Sequence, residues 1–594
     1  MKKDLKKRGK QSIVAIALSL SILVTGCTNK TQPKELTFEE YSNQMFREIV
    51  SSNALTYSQF IEDPENFGIT EYDHVLTTLS KKEYDKSIQQ CEEDLAQLLK
   101  YDYNTLTAAQ KIDYDLTKGM LERSIASKDT YYYSEPLSTL DGDHITLSGI
   151  VSLYGNRYFQ TLAEKGKENK DEVEKFFEIY EMIGKYFNEV AQFEQEKAKA
   201  GLFMNETRAE VVRKACLSVV NNNAVDYKKT FWDEVTKLSF LSDSEKRELM
   251  KQSDSLVEKH IVPAYQKLVD TMNELKDQGG KSKGFYETEA GKTYYENLLK
   301  STCSVNASPE ELMKLLEDNL AVFVKEREQI LAKYPNIENE IVISARQWSD
   351  AESITKMLPE KAKEDFPDAD LAWGVKDMPT CMNSFAGGLF YPFAIDSTLK
   401  EEYIYLGTMN APGTLSFLQV LAHEGVPGHL YHYNYLNNIG TTDYRKILAW
   451  AGTGLVGYLE GWTTYVEEIG YSYGGLSDVQ AREAHLNRLV EITLVTMIDI
   501  GVNYYGWEND KVSEVISQYA PQYLIMSTYL KNIVEESPAL YSSYAVGYIY
   551  TKKIIDAIYE QSGGTMSKKE VHEKYLSVGP ATYDILMREL GVEQ

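Results

Sequence analysis

The chain is 594 residues long, 43% apolar and 26% charged, and its 36 glycines and 15 prolines are few for that length. This is a globular composition, which excludes collagen-like, low-complexity and disordered classes and leaves room for several domains' worth of core. A formal net charge of −26 argues against nucleic acid as a partner, because phosphate recognition needs a basic surface.

At the N-terminus Lys2, Lys3, Lys6, Lys7, Arg8 and Lys10 precede an apolar run from Ile13 to Val24. That is the pattern of an export signal, too short for a comfortable membrane span. The run ends in Val24-Thr25-Gly26-Cys27, which resembles the bacterial lipobox. The resemblance implies cleavage before Cys27 and lipidation of Cys27. The mature protein would then be anchored to the cell membrane by lipid, facing outside the cytoplasm. Residues 1–26 read as the signal peptide and 27–35 as a tether, and no later segment approaches a second span. Cys91, Cys216, Cys303 and Cys381 lie far apart without CxxC spacing and read as buried thiols.

Residues 36–336 read as helix after helix. Glu172 to Ala200 is a long amphipathic run that stops at Gly201. Ser308-Pro309-Glu310-Glu311 is a capping box with proline at the first helical position, opening a helix to about Lys333. Residues 276–281, Lys-Asp-Gln-Gly-Gly-Lys, form the clearest flexible link. Between Phe385 and Thr408 the pattern changes. Gly387 to Phe393 and Tyr403 to Leu406 are short and rich in aromatic and other apolar residues, so they read as strands, with Pro392 confining the first to an edge. Such an edge could pair with an extended peptide.

The sequence then reaches Leu421-Ala-His-Glu-Gly-Val-Pro-Gly-His-Leu-Tyr-His432, twelve residues that hold three of the eight histidines. Pro412-Gly413-Thr414 reads as a turn and N-cap, and Phe417, Leu418 and Leu421 follow at helical spacing. A His-Glu pair followed by another histidine is an arrangement of zinc hydrolases: imidazoles bind the ion and the carboxylate takes a proton from water. His423 and His429 are six apart, about 240° out of phase on an ideal helix. They can share a metal only if the helix breaks between them, and Pro427-Gly428 supplies that break. His429 and His432, three apart, could instead form their own pair.

A two-histidine site commonly takes a third ligand from elsewhere, often a carboxylate. Glu460 lies in a second helical stretch, Gly457 to Glu468, after room for a connection and a return helix. Glu467, two turns further along the same face, competes for that role or supports a ligand from behind.

His423-Glu-Gly-Val-Pro-Gly-His429, then Glu460-Gly461-Trp462 with Tyr465 and Glu467, resembles the bacterial domain-of-unknown-function family 885. That family carries HExxPGH followed by EGWxxYxE and is grouped with zinc metallopeptidases of the gluzincin type. Asp499-Ile500-Gly501 with Gly506-Trp507, and Pro538 to Gly547, resemble further family motifs. By this resemblance His423, His429 and Glu460 are the ligands of one zinc ion (Zn2+) per chain and Glu424 is the general base. Tyr544 would be the hydroxyl that steadies the oxyanion, with Tyr548 its rival one turn on. Asp499, Glu467 and His432 are supporting or alternative residues. The sequence departs from the family pattern at Asn503, where histidine is expected, at Leu540, where glutamine is expected, and at His432, where glutamine is common.

The expected fold is mainly α: a large helical metallopeptidase-like shell around a cleft, with a small β element before the metal-site helix. Residues 337–594 would form the catalytic region, continuous with 36–336 in one two-lobed unit. The expected function is a membrane-anchored, extracytoplasmic zinc hydrolase acting on a peptide-like substrate. A non-catalytic metal- or ligand-binding lipoprotein and a zinc amidase of cell-wall peptides are the alternatives.

Overall fold

Helix starts in this protein are set by local signals. Thr37, Thr107, Ser242 and Ser308 each accept a hydrogen bond from the backbone N–H three residues on, and the Glu or Gln side chain there accepts the backbone N–H of the cap residue. The reciprocal pair satisfies two of the donors that a helix N-terminus leaves free. The computed structural model describes residues 36–593 except 73, 279–284, 370, 384–386, 398–400 and 453. The signal segment, Cys27, the tether and positions 279–281 of the expected link lie outside the described residues.

Helices α1 (Phe38–Ser51), α2 (Lys81–Leu98) and α3 (Ala108–Ala126) open the fold. Next come α4 (Asp143–Glu164), α5 (Glu178–Lys199), α6 (Glu206–Asn221), α7 (Val225–Val235) and α8 (Asp243–Leu275). The amphipathic run expected to be one helix from Glu172 is interrupted before α5. At Phe176 and Phe177, both buried, the backbone switches to i→i−3 bonds, which interrupts the α-helical ladder. The capping box at Ser308 opens α10 (Pro309–Lys333), after α9 (Glu289–Cys303).

Apolar side chains collect in two main cores. Helices α4 to α8 share one; α1 to α3 share the other with α9, α10 and the chain beyond. Part of that second association is polar. Arg445 pairs with Asp113 of α3 at 3.0 Å, both buried, and Thr117 meets the Tyr444 hydroxyl at 2.8 Å.

The β element is a three-stranded sheet of order β1-β3-β2: β1 (Ala372–Asp377), β2 (Gly388–Phe390) and β3 (Glu401–Leu406). β1 runs parallel to β3 and β2 antiparallel to it, pairing Gly388 with Leu406 and Phe390 with Ile404. The strand β1 has no counterpart in the sequence reading, since Ala-Trp-Gly-Val-Lys-Asp shows little alternation. β2 is an edge strand, as expected, and stops at Phe390, two residues short of Pro392. After the sheet come α11 (Leu415–Val420), α12 (His429–Asn438), α13 (Val456–Tyr473), α14 (Asp478–Asn503) and α15 (Ser542–Gln561).

Candidate metal centre

The local sequence builds the centre by breaking one helix. Thr414 caps α11 by accepting from Phe417 N–H at 3.3 Å, and Phe417, Leu418 and Leu421 go into the core. From Leu421 to Gly425 the backbone widens into a π turn, a feature frequent at functional sites. The chain then folds back over itself. A Cβ on Gly428 would lie 1.8 Å from the carbonyl oxygen of His423, so only glycine fits there, and α12 restarts at His429.

This return brings His423 and His429 together, their rings perpendicular with centroids 5.0 Å apart. Glu460 of α13 completes the group: its Oε2 lies 3.3 Å from His423 Nε2 and its Oε1 3.5 Å from His429 Nε2. One ligand atom from each of the three residues lies within 4.8 Å of the others, and all three side chains are buried. Two imidazoles and a carboxylate converging this closely fit a divalent metal ion. His423 Nε2, wholly buried, makes no hydrogen bond despite the carboxylate nearby. The electrostatics agree. Burial lowers the His423 pKa, but the Glu460 and Glu467 carboxylates outweigh it and carry it to about 10. Burial raises Glu460, and the two imidazoles overcome this and hold it at about 2. The pocket favours positive charge.

Glu424 is buried beside the group, and burial pushes its pKa up against the pull of the two imidazoles. Its Oε2 accepts the backbone N–H of Phe390 at 2.9 Å, so the edge strand fixes it. β2 lies so close to the π turn that a Cβ on Gly388 would be 2.1 Å from Val420 Cγ2.

Glu467 is not in the triad but behind it, its Oε1 2.9 Å from His423 Nδ1. A carboxylate on the far nitrogen orients a metal-binding histidine and raises its basicity. Its other oxygen faces His485 Nδ1 at 4.0 Å and Arg488 Nε at 3.9 Å. His485 and Arg488 were not legible as site residues: they sit inside a long helix with no motif around them, and only the packing of α14 on α13 brings them here. His432 lies outside the group, with Nε2 3.0 Å from the Tyr458 hydroxyl. Burial holds its pKa well below the ordinary value.

Tyr544, on α15, is buried with its ring centroid 6.1 Å from that of His423, and the Arg488 guanidinium lies 5.7 Å from its centroid. Tyr548 faces elsewhere, its ring 5.1 Å from that of His485 and its hydroxyl 3.5 Å from Arg482. Glycines hold α13 and α15 in near contact: a Cβ on Gly461 would lie 2.4 Å from the Gly547 carbonyl carbon. Asp499 supports the approach to Tyr544. It accepts from the Tyr295 hydroxyl, from Asn503 at 3.1 Å and from the N–H of Ala539 at 2.7 Å. Ala539 has the left-handed φ of +62°, which this bond helps to hold. Asn503, the departure from the family pattern, is therefore part of this support and lies outside the triad.

A cavity of about 490 Å³ reaches Tyr544 and Ala539 from between the two cores, although none of the triad lines it. Among the described residues no helix is long and apolar enough to cross a membrane.

Two solved structures share the fold. A candidate lipoprotein from Colwellia psychrerythraea has 14% identity and a TM-score of 0.76, covering 94% of this chain and 98% of that one. A candidate lipoprotein of unknown function from Shewanella oneidensis has 17% identity and a TM-score of 0.62, covering 93% of this chain and all of that one. A candidate oligoendopeptidase F from Bacillus anthracis is far less similar, at 12% identity and a TM-score of 0.31 over 85% of this chain and 92% of that one, too slight a likeness to argue from. No curated protein matches. Residues 64–590 match the family described as bacterial protein of unknown function (DUF885), and the chain belongs to that family.

Proposed function

We propose that the protein is a lipid-anchored, extracytoplasmic zinc hydrolase that cleaves peptide-like amide bonds in oligopeptides. The observation that carries this reading is the buried convergence of His423, His429 and Glu460, with Glu424 beside them. In it His423, His429 and Glu460 would hold one zinc ion. When bound, zinc in such a set lowers the pKa of water to about 7 and polarises a carbonyl oxygen.

The chain's own residues supply the rest. The Glu424 carboxylate takes the proton of the attacking water and passes it to the leaving amine nitrogen. The Phe390 amide keeps that carboxylate in place by bonding one of its oxygens. Glu467 accepts the His423 Nδ1–H, which leaves the Nε2 lone pair free and would let His423 bind the metal through Nε2. The Tyr544 hydroxyl donates to the carbonyl oxygen as negative charge builds there. Surrounding helices exclude water and admit flexible peptides in preference to folded proteins. The lipid on Cys27 places this chemistry at the outer membrane face.

The test is hydrolysis of a mixed oligopeptide pool by zinc-loaded protein beside Glu424→Gln. The expected result is turnover of peptides, an intact folded protein left uncut, and a fall of about 10²-fold or more in the variant. Peptide turnover equal in both proteins would contradict the role given to Glu424.

A further inference from the structure

The cavity that reaches Tyr544 is lined by one cation among the described residues, Arg123 of α3. Its other charged lining residues are acidic: Glu135, Asp141, Asp143 and Glu536. Three of these have partners of their own. Glu135 pairs with Lys197 at 2.9 Å, Asp141 accepts from Ser138, and Asp143 accepts from Tyr186.

Arg123 is different. Among the described residues no carboxylate forms an ion pair with its guanidinium, and Glu122, its chain neighbour, pairs instead with Lys118 at 3.7 Å. The backbone makes room for this group. A Cβ on Gly454, whose φ is +110°, would lie 2.7 Å from Arg123 Nη2, and one on Gly119 would lie 3.3 Å from Nη1. The Ser301 hydroxyl oxygen is 3.6 Å from the same Gly454 position, on the cavity wall. The guanidinium is half-buried on the cavity wall, and loss of solvation pushes its pKa down to about 10, with only Glu122 opposing. A planar cation in a slot of glycines, facing the cavity with none of its lining carboxylates in ion-pair contact, suits one ligand best: a carboxylate held by paired N–H donors.

We propose that Arg123 anchors the free C-terminal carboxylate of a short peptide substrate, seated in the cavity that leads to Tyr544. This rests on the peptidase reading above and names the substrate class: short peptides with an unblocked carboxyl end. The cavity volume of about 490 Å³ limits the enclosed part of the ligand to the size of a small peptide.

The test is binding of tetra-alanine, as free acid and as C-terminal amide, to zinc-loaded full-length protein carrying Glu424→Gln. Arg123→Gln and Arg123→Lys are added in the same background. The acid is expected to bind about tenfold or more tighter than the amide, as loss of a charge-assisted pair predicts. Arg123→Gln should bring the two affinities together, and Arg123→Lys should restore part of the difference. Non-specific attraction to the acidic cavity would favour the amide, the more positive peptide, so a preference for the acid identifies a specific site. Equal binding of acid and amide, or a preference that survives Arg123→Gln, would overturn the proposal. If Arg123→Gln does not fold, the acid-to-amide ratio of the Arg123 parent still decides. Hydrolysis of both peptides by protein with Glu424 intact is measured alongside. Turnover without acid preference removes only the Arg123 site, whereas acid preference without turnover removes only the peptidase reading.

Discussion

Trp462 donates its indole N–H to the carbonyl of Pro427 at 2.9 Å, both groups buried. This bond ties the helix that carries Glu460 to the backward turn that brings His429 beside His423. The helix that carries Glu460 and the break in the first helix are thus fixed to each other, two residues from Glu460 on one side and two from His429 on the other.

Trp462→Phe keeps most of the ring packing and leaves the Pro427 carbonyl without its donor. It should cost about 1–3 kcal/mol of stability, the range for an unsatisfied buried acceptor. Zinc retention during dialysis should fall with it. Thermal unfolding and metal analysis on the same sample check both, and loss of stability with undiminished zinc retention would show that the bond serves the fold alone.

Glu467→Gln removes the charge behind His423 while keeping the shape. Metal affinity should drop about 10- to 100-fold, as for other supporting carboxylates, without being abolished. A chelator competition series measures it. An affinity unchanged from the wild type would remove Glu467 from the centre.

Tyr544→Phe should lower kcat about 10²- to 10³-fold with zinc content unchanged, the scale for one oxyanion donor. Tyr548→Phe, one turn on and facing His485 and Arg482, should lose far less. Steady-state kinetics on a cleaved peptide separates them, and the reverse order would transfer the role to Tyr548.

His572 packs behind Trp462, bonded to the Asp365 carbonyl and to the Tyr465 hydroxyl. Burial lowers its pKa from 6.5 to about 4, against the pull of the Asp365 carbonyl. Between those values the unfolded chain binds a proton that the folded chain refuses, so this residue's contribution to stability is lost as pH falls from about 6.5 to about 4. Over that window the wild type should lose on the order of 3 kcal/mol more than His572→Gln. Denaturant unfolding across the pH range reads the difference. A wild type and variant with parallel pH profiles would contradict it.

Much of the centre was legible because its chemistry sits in short segments. The Pro427-Gly428 break was required by the 240° mismatch of His423 and His429, and the structure has the chain turn back at that point. Thr414 and Ser308 read as caps because capping is a contact within one turn. What escaped was set by packing across the fold. Strand β1 has little pattern of its own and is held by β3. The break at Phe176 and Phe177 is a local switch to i→i−3 bonds, which the apolar periodicity running through it does not mark. Arg488 and Arg123 lie within helices whose local sequence marks no site, and tertiary packing alone brings one to Glu467 and the other to the cavity.

The most direct measurement is zinc content of the soluble protein, residues 28 onward, beside His423→Ala, Glu460→Ala and His432→Ala. One zinc per chain is expected in the wild type and in His432→Ala, and its loss in the other two. Failure of the wild type to bind zinc when it is supplied, or zinc that survives both His423→Ala and Glu460→Ala, would contradict the triad.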